Sequence, residues 1–214
     1  MKALTILQPY ASAIIDGPKR VENRTWRPNL RTPVWIAVHA GLRPLRDHFA
    51  TVKQVWRHDR DRGLCDVGPP ETLKLGALLG AMRVYDFLLI DKHPGLDMDP
   101  WATGPWCWMI DQVVRWKPIP WKGRQGLWEL PEEYSRTGHP EGTRVLLRYG
   151  ERYRKAGAEH HLRMGVVRQS PGRRAARRNH VVELDCGSSI VVPAGHLKGI
   201  PSPPPRRQGG LFDG

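Results

Sequence analysis

The sequence predicts an α+β, mainly β fold: a strand-rich core with two helices laid over it, followed by a small all-β barrel module. Three observations carry this. The first 130 residues hold about five or six runs rich in β-branched and aromatic residues, interrupted by two helical patterns in an irregular order that argues against a doubly wound parallel sheet. All nine tryptophans lie between Trp26 and Trp128. Past Arg163 three more short strand patterns follow, joined by hairpin-type turns.

In chain order, "ALTIL" reads as a strand, and "YASAIIDG" sets Ala11, Ile14 and Ile15 at helical spacing before the stop signal Gly17-Pro18. "RVENRTW" and "VWIAVHA" read as strands. "PLRDHFATVKQVWRHDR" reads as a helix with Leu45, Phe49, Val52 and Trp56 on one stripe. "LGALLGAMRVYDFLLI", "PWCWMIDQVVRW" and "GLWEL" complete a first domain over 1–135. Pro131, Gly138, Pro140 and Gly142 then supply turn chemistry. Residues 136–162 read as a basic connector whose "ERYRKAGAEHH" is helical or flexible. "RMGVVRQ", "HVVELDCG" and "SIVVPAGHL" read as the second module, 163–200, and 201–214 read as a proline-rich tail whose composition predicts disorder.

With 214 residues and 40% hydrophobic composition the chain can bury a substantial core, while a formal charge of +13 and a pI near 10.2 point to a polyanionic partner, nucleic acid before membrane. The excess is concentrated: Gly142–His180 holds eleven Lys and Arg against two acids. No apolar run approaches the roughly 18 residues a membrane helix needs, and Gln8, Pro9 and Asp16 break up any signal-peptide core. Cys65, Cys107 and Cys186 are widely separated and lack C-x-x-C spacing, the pattern of a reducing cytoplasm without disulfides or a zinc site. The histidines show no metal-ligand spacing, and no dinucleotide or Walker loop is present. No metal and no cofactor are expected.

"GPKRVENRTWRP", Gly17–Pro28, gathers the densest chemistry. If extended, it points Arg20, Glu22, Arg24 and Trp26 to one face and Val21, Asn23 and Thr25 to the other. One reading is a cross-paired, solvated outer face. The other is the rim of a pocket where a planar heteroaromatic stacks on an indole or guanidinium, a carboxylate and an amide bond its polar edge, and Lys19 meets a phosphate.

"LTILQPYASAIIDGPKRVENRTW", "VWIAVHA", "GPWCWMI" and "KGRQGLW" resemble the ASCH family, relatives of the PUA domain, over roughly residues 3 to 130. The matching order is Gln8-Pro9, a helix, then Gly17-x-Lys19-x-x-Glu22-x-Arg24-x-Trp26. The resemblance implies a PUA-like β-barrel with helices at its side, and a cleft between the first helix and the barrel suited to RNA, DNA or a modified nucleobase. Gln8, Lys19, Glu22, Asn23, Arg24, Trp26 and His39 are its expected contacts. Some relatives deacetylate 4-acetylcytidine, which implies a lysine, a threonine three residues later and a distant glutamate. Lys19 matches the lysine, whereas Glu22 stands at the threonine's place and Thr25 falls on the opposite strand face. An enzyme reading, amidohydrolase or ribonuclease, therefore rests on Lys19 and Glu22 as acid and base, or on His39 with Lys19 as a proton-transfer pair.

Residues 163–197 are similar to small barrels of KOW or Tudor type. Arg173, Arg174, Arg177 and Arg178 at the hairpin tip would neutralise phosphates without reading sequence; the alternative is a solvated loop. In the tail, Gln208, Leu211 and Phe212 resemble the Q-x-x-L-F peptide that binds bacterial sliding clamps. Three classes thus stand open: a binder of RNA or of single-stranded or modified nucleic acid, a hydrolase, and an adaptor recruited by its tail.

Overall fold

The computed structural model describes residues 1–58, 72–134, 139–149, 158–170 and 179–200. Two six-stranded sheets organise them. The first, a curled half-barrel, runs in the order β2-β5-β4-β3-β1-β6, from β1 (Lys2–Ile6), β2 (Val21–Arg24), β3 (Val34–Ala40), β4 (Ala77–Leu89), β5 (Trp106–Pro120) and β6 (Leu127–Glu129). Only β1 and β3 pair in parallel; the other pairings of this sheet are antiparallel. The long partners β4 and β5 shift register three times, and such bulges add bend and twist, which curls the sheet. At the first shift Gly80 lies against the neighbouring backbone: a Cβ there would stand 2.2 Å from Val114 O. Only glycine permits that approach.

Two helices lie over this sheet. α1 (Tyr10–Ile15) buries Ala11, Ser12, Ala13, Ile14 and Ile15, and α2 (Phe49–His58) turns Val52 and Val55 inward. α2 begins later than the stripe through Leu45 predicts, because Arg46–His48 form a 3-10 turn that feeds into it.

The second sheet runs β11-β10-β9-β8-β12-β7, from β7 (Glu133–Tyr134), β8 (Arg144–Leu147), β9 (Met164–Gln169), β10 (Asn179–Leu184), β11 (Ser189–Pro193) and β12 (Leu197–Gly199). Here the chain differs from the expected segmentation. Residues 136–162, read as a connector, contribute β8, which lies between β9 and β12, and β7, read as the end of the first domain, pairs with β12. The second module therefore draws strands from both sides of the expected boundaries.

The sheets share a core. Ala3, Ala37, Ala81, Trp116 and Trp128 of the first pack in one buried cluster with Leu146, Leu162, Met164 and Ile200 of the second part. The Trp116 indole N–H donates to Leu162 O at 2.9 Å, and Glu132 accepts from Arg148 at 2.7 Å and Lys198 at 3.1 Å. Among the described residues no helix is long and apolar enough to cross a membrane.

Candidate functional site

β2 is the edge strand of the first sheet, and the face it turns toward α1 and α2 is the floor of a cleft of about 410 Å³. Lys19, Glu22 and Arg24 lie at the floor; Tyr10 and Trp101 stand at its sides, and Leu45, Val52 and Val55 close it with apolar surface. Lys19, Glu22 and Arg24 of the signature thus line a cleft, rather than all pointing to open solvent.

Local hydrogen bonds fix each part. Gln8 is fully buried: its Oε1 accepts the Ser12 N–H at 3.1 Å, and its amide donates to Ser12 Oγ at 2.9 Å and Lys74 O at 3.0 Å. It pins the first turn of α1. Arg20 closes the other end: its guanidinium donates to Ile14 O in the last turn of α1 at 3.3 Å, as basic side chains do at carbonyls left over by a helix C-terminus, and to Gly17 O and Lys19 O beyond it at 2.9 Å each. Arg20 is thereby turned to the helix end, so Lys19 supplies the cleft cation in its place. Asn23 ties the far wall to β2: its amide donates to Trp101 O at 2.7 Å and its Oδ1 accepts from Thr103 N at 2.9 Å and Gly104 N at 3.1 Å.

The charged floor is a buried Lys19–Glu22 pair capped by the half-buried Arg24. Lys19 is 1% exposed, its Nζ donating to Val21 O and standing 3.6 Å from Glu22 Oε2. Glu22 Oε1 lies 2.9 Å from Arg24 Nη2, which also donates to Thr5 O at 3.1 Å. The Lys19 ammonium sits 5.7 Å from the Tyr10 ring centroid and 5.9 Å from that of Trp101, within the range of cation–π attraction. Burial still pushes the Lys19 amine below its ordinary value, against the pull of Glu22. Burial, then the Glu22 charge, pushes the Tyr10 phenol up, and that hydroxyl shares a 2.7 Å hydrogen bond with His48 Nδ1.

Lys19, Glu22, Asn23 and Arg24 are therefore brought together, whereas Gln8, Trp26 and His39 do not line the cleft. Trp26 packs edge-on against Trp108 at 5.1 Å. His39 is buried beyond β1, its Nε2 3.0 Å from Trp121 O and its ring edge-on to Trp128, so it does not face Lys19 across the cleft. Tyr10, His48 and Trp101 are cleft residues that the signature did not indicate; "QPY" places Tyr10 two residues from Gln8, but nothing local marks Trp101. Arg173, Arg174, Arg177 and Arg178, and Gln208, Leu211 and Phe212, lie outside the described residues.

Residues 4–84 match the family described as the ASCH domain. The chain is 35% identical over 132 residues to activating signal cointegrator 1 of Mus musculus, and 29% identical over 135 residues to activating signal cointegrator 1 of Homo sapiens. Each match covers 59% of this chain and 22% of the relative, so the chain spans about a fifth of the length of these curated relatives.

Proposed function

We propose, on the premise that residues 4–84 of this chain form an ASCH domain, that the protein binds nucleic acid and takes an unpaired or modified base into the cleft. The observation that carries this is the Lys19–Glu22–Arg24 triad, with Lys19 and Glu22 buried and Arg24 half-buried, at the floor of a cleft with apolar and aromatic sides. A base offers what such a site selects: a flat face for Tyr10 and an edge of donors and acceptors for a carboxylate and two cations. The +13 charge supplies sequence-independent affinity for the backbone, to which the arginine-rich stretch 173–178 adds. Attachment to a sliding clamp through Gln208, Leu211 and Phe212 is a separate proposal, tested by loss of clamp binding in the Leu211→Ala/Phe212→Ala variant.

The test is fluorescence polarisation of the full chain with single-stranded RNA, single-stranded DNA and duplexes, with and without modified cytosines, at two salt concentrations. Tyr10→Ala is expected to weaken single-strand binding by about 1–3 kcal/mol, roughly five- to 150-fold in Kd, the usual range for loss of a base-stacking ring. Wild-type affinity in Tyr10→Ala and Glu22→Gln, with salt alone modulating binding, would remove the cleft from the account.

One observation favours a second reading, hydrolysis of an acylated nucleobase: Lys19 Nζ stands 3.6 Å from Glu22 Oε2 at the floor of the cleft, an amine and carboxylate placed to exchange a proton. Release of cytidine from 4-acetylcytidine by the wild type, absent in Lys19→Met, would establish it.

A further inference from the structure

We propose that a second groove, at the joint of the two sheets and walled by Arg115, Lys117 and Arg163, holds the phosphodiester backbone of a bound nucleic-acid strand. The proposal rests on the nucleic-acid reading above but not on the cleft.

The groove follows from the packing. Trp116 on β5 is buried and donates to Leu162 O across the joint; side chains alternate along a strand, so its neighbours Arg115 and Lys117 turn away from that core. Leu162 is buried on the other side, and Arg163 follows it outward. These three cations line a recess of about 360 Å³ whose far side is the turn between β10 and β11, with Asp185 and Cys186.

Its charge is unbalanced. Asp185 is already engaged: its Oδ1 lies 2.7 Å from Arg144 Nη1, its Oδ2 also binds Arg144, and that oxygen accepts the Lys117 N–H at 2.9 Å. This clamp locks the turn to the end of β5 and cancels the acid of the groove. Among the described residues, Lys117 and Arg163 have no carboxylate within ion-pair distance; Arg163 Nε reaches only Glu159 O, at 3.4 Å. Arg115 touches Asp16 through Nε at 3.0 Å yet is 72% exposed. Three gathered cations on rigid walls, in a chain of net charge +13, fit a polyanion with evenly spaced charges.

The experiment compares the full-length wild type with Arg115→Gln/Lys117→Gln/Arg163→Gln and with a charge-matched control, Arg31→Gln/Arg43→Gln/Lys92→Gln, whose residues do not line the groove. Each is titrated with a fluorescent oligouridylate over a salt series, after its unfolding midpoint has shown that it is folded. Each lost phosphate contact on a single strand flattens the slope of log K against log salt by about 0.7, so the groove variant should flatten by about 2 and the control should keep the wild-type slope. Cys186 gives a local readout, since it is exposed in the groove wall. At oligouridylate about ten times Kd its alkylation, mapped by peptide mass spectrometry, should slow about tenfold in the wild type.

A wild-type slope in the groove variant, equal flattening in the control, or unprotected Cys186 would overturn the groove. If the sensitivity to Tyr10→Ala survived any of these, the cleft reading would stand. If the wild type bound no nucleic acid at all, both readings would fall together.

Discussion

Lys19 is costly where it sits. An ammonium with 2% side-chain exposure is tolerated because Glu22, the Val21 carbonyl and two aromatic rings replace its hydration. Removing one member of such a buried pair leaves an uncompensated charge, so Glu22→Gln is expected to destabilise by about 3–5 kcal/mol in urea unfolding. Lys19→Met should cost much less in that background than in the wild type; equal costs in both would show that the two side chains are not coupled. The pH dependence has a definite sign. With its folded-state pKa below 10.5, Lys19 binds fewer protons folded than unfolded between that lowered value and 10.5, so its penalty stands in full below the window and fades as pH rises through it. Stability of the wild type should therefore climb relative to Lys19→Met across that window, and a pH-independent gap would refute the assignment. The signature residues are legible in the sequence as a set. The burial of Lys19 and Glu22 is not, because a Lys-Arg-x-Glu-x-Arg string has the composition of an exposed edge strand.

At the scale of elements, β3 is recovered from the sequence over its whole length, since "VWIAVHA" is bounded by turn residues and rich in strand formers. β8 is not legible in the sequence, for a physical reason. Leu146 packs into the cluster shared with the first sheet, while Val145 and Leu147 pack into the core of the second, so "VLL" is buried on both faces and shows no alternation. Flanking Arg144 and Arg148 complete its disguise as a basic linker. The curl of the first sheet depends on the close approach at Gly80. Gly80→Ala would drive a Cβ to 2.2 Å from Val114 O and 2.9 Å from Ile15 Cδ1. A loss at or above the upper end of about 1–3 kcal/mol, the usual cost of overpacking, is expected in thermal unfolding. Wild-type stability would mean that the strands can separate there without cost.

The whole molecule behaves as one cooperative body if the shared core is as decisive as its composition implies. All nine tryptophans fall between Trp26 and Trp128, so intrinsic fluorescence reports on the first sheet and the joint. Val182 is fully buried in the core of the second sheet, away from the shared cluster. Val182→Ala is therefore expected to lower the fluorescence midpoint in urea together with the far-UV circular dichroism midpoint. Divergence of the two midpoints would instead mark independently unfolding modules. Coupling has a functional side: it fixes the distance between cleft and groove, so a strand gripped by both would meet them at a set spacing.

Read alone, the sequence determined the fold class, the kinds of most elements, the basic excess, and the Lys19-x-x-Glu22-x-Arg24 string. These depend on composition and on periodicities within a few residues, which a linear chain displays directly. Only the tertiary structure decided what that string faces. The Asn23 amide reaches 78 positions along the chain to hold Trp101, α1 brings Tyr10, and the approach to α2 brings His48. The walls of the cleft, like the walls of the groove, come from segments distant in sequence. Their meeting is set by which faces bury together, and no short window of residues records that.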